Sequence, residues 1–423
     1  MKRLPKTLLV CALASGLLLT VTGCGTGVSA PSTNPPSPAR TVAEPCGCTV
    51  DGAFTEDGGT ATAPWLISTA EQLDHVREHL NAHYKLENDI DLTDYLEGSE
   101  YGWMSLGSRD IQRFTGNFDG AGHVISGLTV TQPGNISSLA YNTGLFGTVG
   151  EKSTISNLGV ESSGISSGFA SSHGILAGVN YGRITDCFVN GSINVDGSSC
   201  IGGFVGWNTE TGEIVNCYAL VDVTGGGNVG GLVGLNWGSI TNSYATGTVV
   251  SSGNCTGGLV GLNSGGELSN CYAIVTVSSE GEGFTGGLAG TFDDTSEISN
   301  CYAVGTVTTD TDVSGGSGFV SNLGGSTITN SYWNTDANAY GSWNEYADAN
   351  VTDDTDENED NIENAFENGY TPSMGNPIGM TFAEMCTPEF AATLNTVAGS
   401  GGAWAQDDAI QNGLPYLTAI ELR

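Results

Sequence analysis

The heptapeptide GGLVGLN stands at Gly230–Asn236 and again at Gly257–Asn263. A second motif follows each copy, as in IVNCYA from Ile214, ITNSYA from Ile240 and LSNCYA from Leu268. The two motifs recur about every 26 to 30 residues. Self-similarity at this period indicates stacked units that each bury apolar residues only against their neighbours. Variants of the heptapeptide are GILAGVN at Gly174–Asn180, GGFVGWN at Gly202–Asn208 and GGLAGTF at Gly286–Phe292.

The glycine content disfavours helical units. The chain has 64 Gly among 423 residues, and a Gly inside a helix costs about 1 kcal/mol relative to Ala. Two or three short strands joined by Gly-rich corners would form one coil, and coils would stack about 4.8 Å apart through parallel ladders. The sequence therefore predicts an all-β protein, a parallel β-solenoid (β-helix) of about eight coils over residues 114–335.

Three repeated positions have expected roles in the stack. Glycines would take positive φ or pack backbone against backbone, asparagines would hydrogen-bond along the stack or form left-handed corners, and aromatic rings would stack in a ladder. The glycines are Gly206, Gly234, Gly261 and Gly290, and the asparagines are Asn216, Asn242, Asn270 and Asn300. The ladder residues are Phe188, Tyr218, Tyr244, Tyr272, Tyr302 and Tyr332.

Aromatic side chains are the candidate ligand contacts. An exposed ladder would stack sugar rings, whereas a buried one would be core, and its presence in every coil favours the core interpretation. Trp207 and Trp237 occupy varying loop positions and are expected at the surface. The candidates for ligand contact are Trp207, Trp237, Tyr244 and Tyr272.

Each end of the repeat region has a predicted cap. Residues 58–113 contain one helix, with Ser68 and Glu71 as a capping box and Leu73, Val76 and Leu80 as its apolar stripe. Residues 376–423 form a short C-terminal cap, with a helix over Thr381–Asn395 and irregular chain that closes the stack. Such caps are needed because an uncovered terminal coil is an open sheet edge.

The N-terminus is typical of an exported lipoprotein. Residues 1–24 have a basic start, an apolar stretch and the ending Val21-Thr22-Gly23-Cys24, which resembles a bacterial lipobox with Cys24 as the lipidated residue. An ordinary signal peptide is the alternative. Residues 25–57, rich in Pro, Ser, Thr and Gly, would form a tether. The expected location is the cell envelope, outside the cytoplasm, with the membrane contacted through lipid.

The net charge limits the classes of partner, and the cysteine positions indicate a structural role. Eleven Lys and Arg against 46 Asp and Glu give a net charge of −35. This charge disfavours nucleic acid as a partner, because phosphate would be repelled.

One repeat position is occupied by either cysteine or serine, namely Cys187, Cys217, Ser243, Cys271, Cys301 and Ser331. This equivalence favours small stacked fillers, although adjacent thiols at the coil spacing are within disulfide range.

Residues 336–375 form an acidic insert that is expected to be disordered. Its alternative role is calcium binding. Asp356, Asn358, Asp360 and Glu367 match positions 1, 3, 5 and 12 of a calcium loop. No other cofactor is predicted.

Catalytic signals are weak. His75, Glu78 and His79 match H-x-x-E-H, but the surrounding Glu71, Asp74 and Arg77 indicate a solvated helix face, where His83 would add only a surface metal site. Polysaccharide lyases and hydrolases cluster carboxylates on one face of a β-helix. The corresponding carboxylates here are Asp186, Glu213, Glu267 and Glu297.

The repeats resemble GLUG-motif repeats. The flanks match too, with WLISTAEQL, KLENDIDL and FTGNFDGAGHVISGLTV before them and NGLPYL after them. The resemblance implies a β-solenoid of adhesin-like microbial surface proteins, found also in the non-catalytic part of bacterial immunoglobulin A1-specific metallopeptidases, and it implies no catalytic residue. The predicted function is non-enzymatic binding or display at the cell surface, with an unidentified extracellular glycan or protein as partner. The alternatives are a carbohydrate-active β-helix enzyme and a purely structural envelope component.

Overall fold

The computed structural model describes residues 54, 58–107, 112–132, 142–167, 171–197, 199–281, 283–293, 296–310, 316–338, 377–396, 403–407 and 409–420. The predicted signal and lipidation site, nearly all of the tether and most of the acidic insert lie outside these residues. The described chain is an all-β parallel solenoid, which confirms the predicted fold class.

A complete coil contains four strands, except that the fourth is split into Tyr302–Val304 and Val307–Thr309 in the last one. In the coil with the first GGLVGLN copy they are Asn228–Gly230, Val233–Asn236, Ser239–Thr241 and Tyr244–Ser251. Each strand pairs in parallel with its equivalent in the next coil, and the four resulting sheets are named faces 1 to 4 in this order. The expectation of two or three strands was wrong, because Gly231 and Leu232 turn the chain between faces 1 and 2 inside one apolar run.

Faces 1 and 2 contain only the stacked coils. The strands of face 1 are Asn142–Thr143, Ser172–His173, Cys200–Gly202, Asn228–Gly230, Cys255–Gly257 and Phe284–Gly286. The strands of face 2 are Phe146–Val149, Ala177–Asn180, Val205–Asn208, Val233–Asn236, Val260–Ser264, Ala289–Asp293 and Val320–Asn322.

Faces 3 and 4 extend into the flanking segments. The strands of face 3 are Trp65–Ile67, His83–Leu86, Asn117–Asp119, Thr154–Ser156, Arg183–Thr185, Glu213–Val215, Ser239–Thr241, Glu267–Ser269, Glu297–Ser299 and Thr327–Thr329. The strands of face 4 are Ile90–Asp91, Val124–Gln132, Gly159–Ser167, Phe188–Val195, Tyr218–Gly225, Tyr244–Ser251, Tyr272–Ser279, Tyr302–Val304, Val307–Thr309, Tyr332–Asn334 and Ile378–Met380.

The number of coils follows from these sheets. Face 1 has six strands, so six coils are complete. Incomplete coils stand at both ends, with Asn117–Asp119 and Val124–Gln132 before the complete ones and Val320–Asn322, Thr327–Thr329 and Tyr332–Asn334 after them. The eight or so predicted units therefore comprise six complete coils and the incomplete coils that flank them.

The interior is a column of apolar layers, one from each coil. In the first GGLVGLN coil, Leu232, Val233, Ile240, Ala245 and Val249 all point inward and are 0% exposed. Burying one such aliphatic side chain contributes about 1.5–3 kcal/mol. The same positions recur in the neighbouring coils, so the layers form one continuous core.

The N-terminal cap extends face 3 and carries two short helices, α1 (Ala70–His75) and α2 (Thr93–Leu96), with a 3-10 turn at Val76–Glu78. The capping box at the start of α1 consists of Thr69 and Gln72. The predicted pair of Ser68 and Glu71 was therefore wrong by one residue, because the Ser68 hydroxyl donates to Glu87 instead. The predicted apolar stripe does face the core.

The C-terminal cap begins on face 4 and then leaves the end of the stack. Ile378–Met380 pairs with Tyr332–Asn334, and two helices follow, α3 (Phe382–Met385) and α4 (Pro388–Leu394). A single helix was expected here, but Thr387 caps a new helix with Pro388 in its first turn. The remaining elements are an antiparallel pair, Trp404–Ala405 with Tyr416–Leu417, and a 3-10 turn at Gln411–Gly413. Among the described residues no helix has the length and apolar character needed to cross a bilayer.

Candidate functional site

The ladder of rings lies on the outer side of the solenoid, where face 4 begins. Phe188 and the tyrosines up to Tyr302 stack face to face, with ring centroids between 4.6 and 5.2 Å apart. The interplanar angles between neighbours are between 2° and 8°. This spacing matches the separation of about 4.8 Å between parallel strands, so the register of face 4 sets the stack.

The C-terminal cap covers this ladder. The ring of Trp404 lies 5.5 Å from that of Tyr302, and the ring of Phe390 lies 4.9 Å from that of Tyr332. Tyr302 donates its hydroxyl to the carbonyl of Pro415. The cap and the ladder thus form a second apolar cluster outside the solenoid interior.

Two of the four candidate ligand contacts belong to this covered ladder. Tyr244 is 3% exposed and Tyr272 is 0% exposed, so their assignment as ligand-contacting aromatics was wrong. Burial raises the pKa of both phenols, and neighbouring ladder tyrosines raise it further. The expected closure of the stack by residues 402–417 was also wrong, because this part of the chain lies along the ladder; Gln411, for example, donates its amide to the Tyr272 hydroxyl at 2.7 Å.

The other two candidates lie at the corner between faces 2 and 3, and both are half-buried. The rings of Trp207 and Trp237 meet edge to face, with centroids 4.9 Å apart and an interplanar angle of 83°. Tyr181, also half-buried, lies 6.4 Å from Trp207 in the preceding coil. These three residues, named the aromatic strip, span three successive coils of the outer surface.

The repeat itself explains how the strip forms. Tyr181 and Trp237 directly follow Asn180 and Asn236, which are equivalent residues of face 2. Trp207 comes from the coil between them and lies within the face 2 strand Val205–Asn208, so its expected loop position was wrong. Tyr181 was missed in the sequence, although its place after GVN matches that of Trp237 after GLN.

Arg113 lies at one end of the strip. Its guanidinium carbon is 3.8 Å from the centroid of the Tyr181 ring. A cation over an aromatic face is attracted by the ring quadrupole, which fixes a positive group beside the rings. The strip therefore offers apolar ring surface with one cationic end on a strongly acidic chain.

The corner between faces 3 and 4 is a column of asparagines in the left-handed conformation. Their φ values are 54° at Asn216, 49° at Asn242, 51° at Asn270 and 58° at Asn300. The amide of Asn242 donates to Asn216 at 3.1 Å, and that of Asn300 donates to Asn270. The column thus combines the left-handed turn with hydrogen bonding along the stack.

A second column of asparagines, not singled out in the sequence, ends the face 2 strands. Asn180, Asn208, Asn236 and Asn263 are 0% exposed. Each amide donates to the side-chain oxygen of the next, at 2.8, 2.8 and 2.6 Å. The column ends where Phe292 replaces the asparagine. The recurrence of Asn at the end of GGLVGLN could have predicted this column.

The glycine of each face 2 strand is a close contact between backbones. A Cβ atom on Gly234 would lie 2.4 Å from the nitrogen of Ile201, and one on Gly206 would lie 2.6 Å from the nitrogen of His173. Gly261 and Gly290 meet Val229 and Thr256 in the same way. None of these four glycines has positive φ, so close approach rather than turning requires them.

The repeated cysteines fill the interior beside the corner. Cys187, Cys217, Cys271 and Cys301 are buried free thiols, and Ser243 and Ser331 occupy the same position. Burial raises the pKa of the Cys217 and Cys301 thiols, with the stacked Cys187 and Cys271 adding to it.

The candidate catalytic groups do not gather at one point. Glu213, Glu267 and Glu297 lie in one exposed column on face 3, and Glu213 pairs with Arg183. The rings of His75 and His79 are 5.5 Å apart. No group of three or more potential metal ligands occurs in the described ranges. The calcium candidates Asp356, Asn358, Asp360 and Glu367 lie outside the described residues.

Comparison with known proteins identifies the repeats. Residues 197–224, 225–250 and 252–278 match the GLUG motif, so the chain contains GLUG repeats, as its resemblance implied. A solved structure from Bacteroides ovatus, provisionally described as an immunoglobulin A1 protease, has a TM-score of 0.50 and 22% identity, covering 86% of this chain and 96% of that one. This likeness shows a shared fold.

Two relatives match over shorter stretches. A protein provisionally named a Gly-rich membrane protein, from Evansella cellulosilytica, is 38% identical over 188 residues, which are 43% of this chain. Halomucin of Haloquadratum walsbyi is 31% identical over 190 residues, also 43% of this chain. The match spans 21% of the first relative and 2% of the second.

Proposed function

We propose that this GLUG-repeat solenoid is a non-enzymatic binding protein of the cell surface, and that the aromatic strip is its contact with an extracellular glycan. The observation that carries the proposal is the arrangement of Tyr181, Trp207 and Trp237. Three half-buried rings from three successive coils adjoin one another, with Arg113 at one end. Aromatic side chains are enriched where proteins bind partners, because each one offers a large and rigid apolar area.

The chemistry of the strip favours a glycan chain over a flat protein partner. The C–H faces of sugar rings are apolar and pack on the negative faces of aromatic rings. The coil spacing of about 4.8 Å places one ring per coil, so a chain of sugars lying along the stack would meet several rings in turn. Several weak contacts in series give avidity.

A surface location is consistent with the names of the relatives, one a membrane protein and the other a halomucin. We infer that export and lipidation at Cys24 anchor the solenoid at the cell envelope. Two or more acyl chains give stable anchoring, whereas a single chain binds only reversibly. The acidic chain would then face the medium, where its charge keeps it soluble.

A glycan array probed with the purified full chain tests the proposal. We expect binding to a defined set of oligosaccharides, and a Kd raised at least about tenfold by Trp207→Ala or Trp237→Ala, as for central aromatic contacts. The matched control is Tyr101→Ala, which removes an aromatic residue that is 36% exposed in the N-terminal cap.

Three outcomes contradict the proposal. The strip is not the binding surface if the tryptophan variants bind the array as the unchanged chain does. The binding function itself is wrong if no glycan binds, and hydrolysis of a bound glycan would show that the chain is an enzyme.

A further inference from the structure

A cavity of about 310 Å³ lies at the end of the covered ladder. The ladder position is occupied by Tyr218, then by Phe188 and then by Gly159, going towards the N-terminus. The ring column stops at Gly159, because a Cβ there would be 2.4 Å from Cζ of Phe188. The C-terminal cap reaches the cavity with Ala419 and Ile420. The cavity is thus bounded by the solenoid on one side and by the cap on the other.

The middle one of the three coils that line this cavity departs from the repeat motif at two of its lining positions. Where the other complete coils with this motif have Asn and Tyr, it has Asp186 and Phe188, in ITDCFV. Both substituted residues line the cavity. Asp186 keeps the left-handed conformation of the corner, with φ of 54°, so the change leaves the backbone as it is and replaces an amide with a carboxylate.

The polar wall of the cavity consists of hydrogen-bonding corner residues. Asp186 accepts from the Asn216 amide through Oδ1 at 2.9 Å and from the Thr185 hydroxyl through Oδ2 at 2.7 Å. A carboxylate oxygen has two acceptor sites, so each oxygen of Asp186 can accept one more hydrogen bond. Asn157 also lines the cavity. These groups select a ligand that donates hydrogen bonds.

The rest of the lining includes the apolar side chains of Phe188, from the solenoid, and Ile420, from the cap. A ligand must therefore combine hydroxyl donors with C–H groups. The carboxylate and the net charge of −35 disfavour an anion. The volume is at the lower end of the range of about 300–1,000 Å³ for small-molecule sites, which suits one or two sugar rings.

We propose that this cavity binds an uncharged pyranose, such as the terminal ring of a glycan, with Asp186 as the acceptor for its hydroxyl groups. The site is separate from the aromatic strip, because it lies at the corner of faces 3 and 4 rather than at the corner of faces 2 and 3. It does not depend on the binding proposed for the strip.

Calorimetry and saturation-transfer NMR on the full chain test the site. The probes are the methyl glycosides of glucose, galactose, mannose and N-acetylglucosamine, with methyl glucuronide as the charged counterpart. We expect at least one neutral glycoside to bind and the glucuronide to bind at least about tenfold more weakly.

Two variants locate the binding. Asp186→Asn restores the residue found at this corner in later coils, so the fold is retained, and the Kd should rise at least about tenfold through loss of a charged acceptor. Ile420→Trp places a bulky ring in the lining of the cavity and should abolish binding. Asp222→Asn, an exposed acid on face 4, is the matched control and should bind as the unchanged chain does.

The site is ruled out if no neutral glycoside binds, or if binding is unaffected by both Asp186→Asn and Ile420→Trp. Trp237→Ala separates the two proposals. It should leave monosaccharide binding unchanged, and a loss of binding in this variant would assign the sugar to the strip instead of the cavity.

Discussion

Two rows of aromatic rings run along the outside of this solenoid, and they differ in nearly every physical respect. The ladder at the start of face 4 has parallel rings and lies under the C-terminal cap. The aromatic strip has rings that meet at 53° and 83° and stay partly open to solvent. The ladder repeats in each complete coil after the first, whereas the strip is made of residues that change from coil to coil. In these two rows, repetition thus goes with burial under the cap, and variation goes with partial exposure to solvent.

The largest expected difference between the rows is in stability. Tyr272→Ala removes a ring that is 0% exposed and stacked on both faces, and it should lower the free energy of unfolding by about 3–5 kcal/mol. Trp237→Ala removes a half-buried ring and should cost less than about 1 kcal/mol. Urea denaturation measures both. Equal losses would show that the two rows are not different in kind.

The backbone contact between faces 1 and 2 gives the next effect. Gly234→Ala places a Cβ at 2.4 Å from the nitrogen of Ile201 and should cost about 2–3 kcal/mol through separation of the strands. Gly226→Ala is the control, since its nearest contact is at 3.0 Å and the next at 3.7 Å. We expect a clear drop in thermal midpoint for the first variant only. An unchanged midpoint for Gly234→Ala would contradict the close packing of faces 1 and 2.

The buried asparagine column should contribute somewhat less. In Asn236→Ala, the oxygen of Asn263 and the amide of Asn208 each lose a partner, and an unsatisfied buried polar group costs about 1–3 kcal/mol. Asn194→Ala, at an exposed position of face 4, should change stability by less than about 0.5 kcal/mol. Similar denaturation midpoints for both variants would show that the column adds nothing.

The smallest effect is a dependence on alkaline pH. Burial raises the pKa of Tyr244, Tyr272 and Tyr302 above the ordinary value of 10.0. The unfolded chain releases these protons above about pH 10 while the folded chain retains them, so the free energy of unfolding falls as pH rises further. Tyr244→Phe should lessen the fall by about 1 kcal/mol at pH 11. An identical alkaline profile in this variant would show that Tyr244 titrates normally in the folded chain.

The sequence predicts the solenoid well, because stacking forces equivalent residues into equivalent places. The period, the parallel stacking of the coils and a structural role for Asn216, in hydrogen bonding along the stack or in a left-handed corner, can all be read from the repeat. The four-strand coil cannot, since the turn at Gly231 and Leu232 lies within an apolar run. The burial of Tyr272 under the C-terminal cap also cannot be predicted from the sequence, because it depends on contacts with residues far away in the chain. Gln411, for example, is 139 positions from Tyr272.

The candidate sites were harder to predict for the same reason. Trp207 and Trp237 could be chosen because they interrupt the repeat, but their contact with Tyr181 requires the coil geometry. Asp186 appeared in the sequence only as one carboxylate among several. Its position beside Phe188 and Ile420 becomes visible once the C-terminal cap is seen to lie along the ladder.

Hydroxyl-radical footprinting of the native full chain, read by mass spectrometry, tests the contrast between the two rows most directly. It needs no substitution and reports the solvent access of each aromatic side chain. We expect rapid oxidation of Trp207 and Trp237 and slow oxidation of Tyr244, Tyr272 and Tyr302, with the tyrosines reacting fast only after denaturation. Oxidation of the ladder tyrosines in the native chain at rates matching those of the two tryptophans would contradict the account.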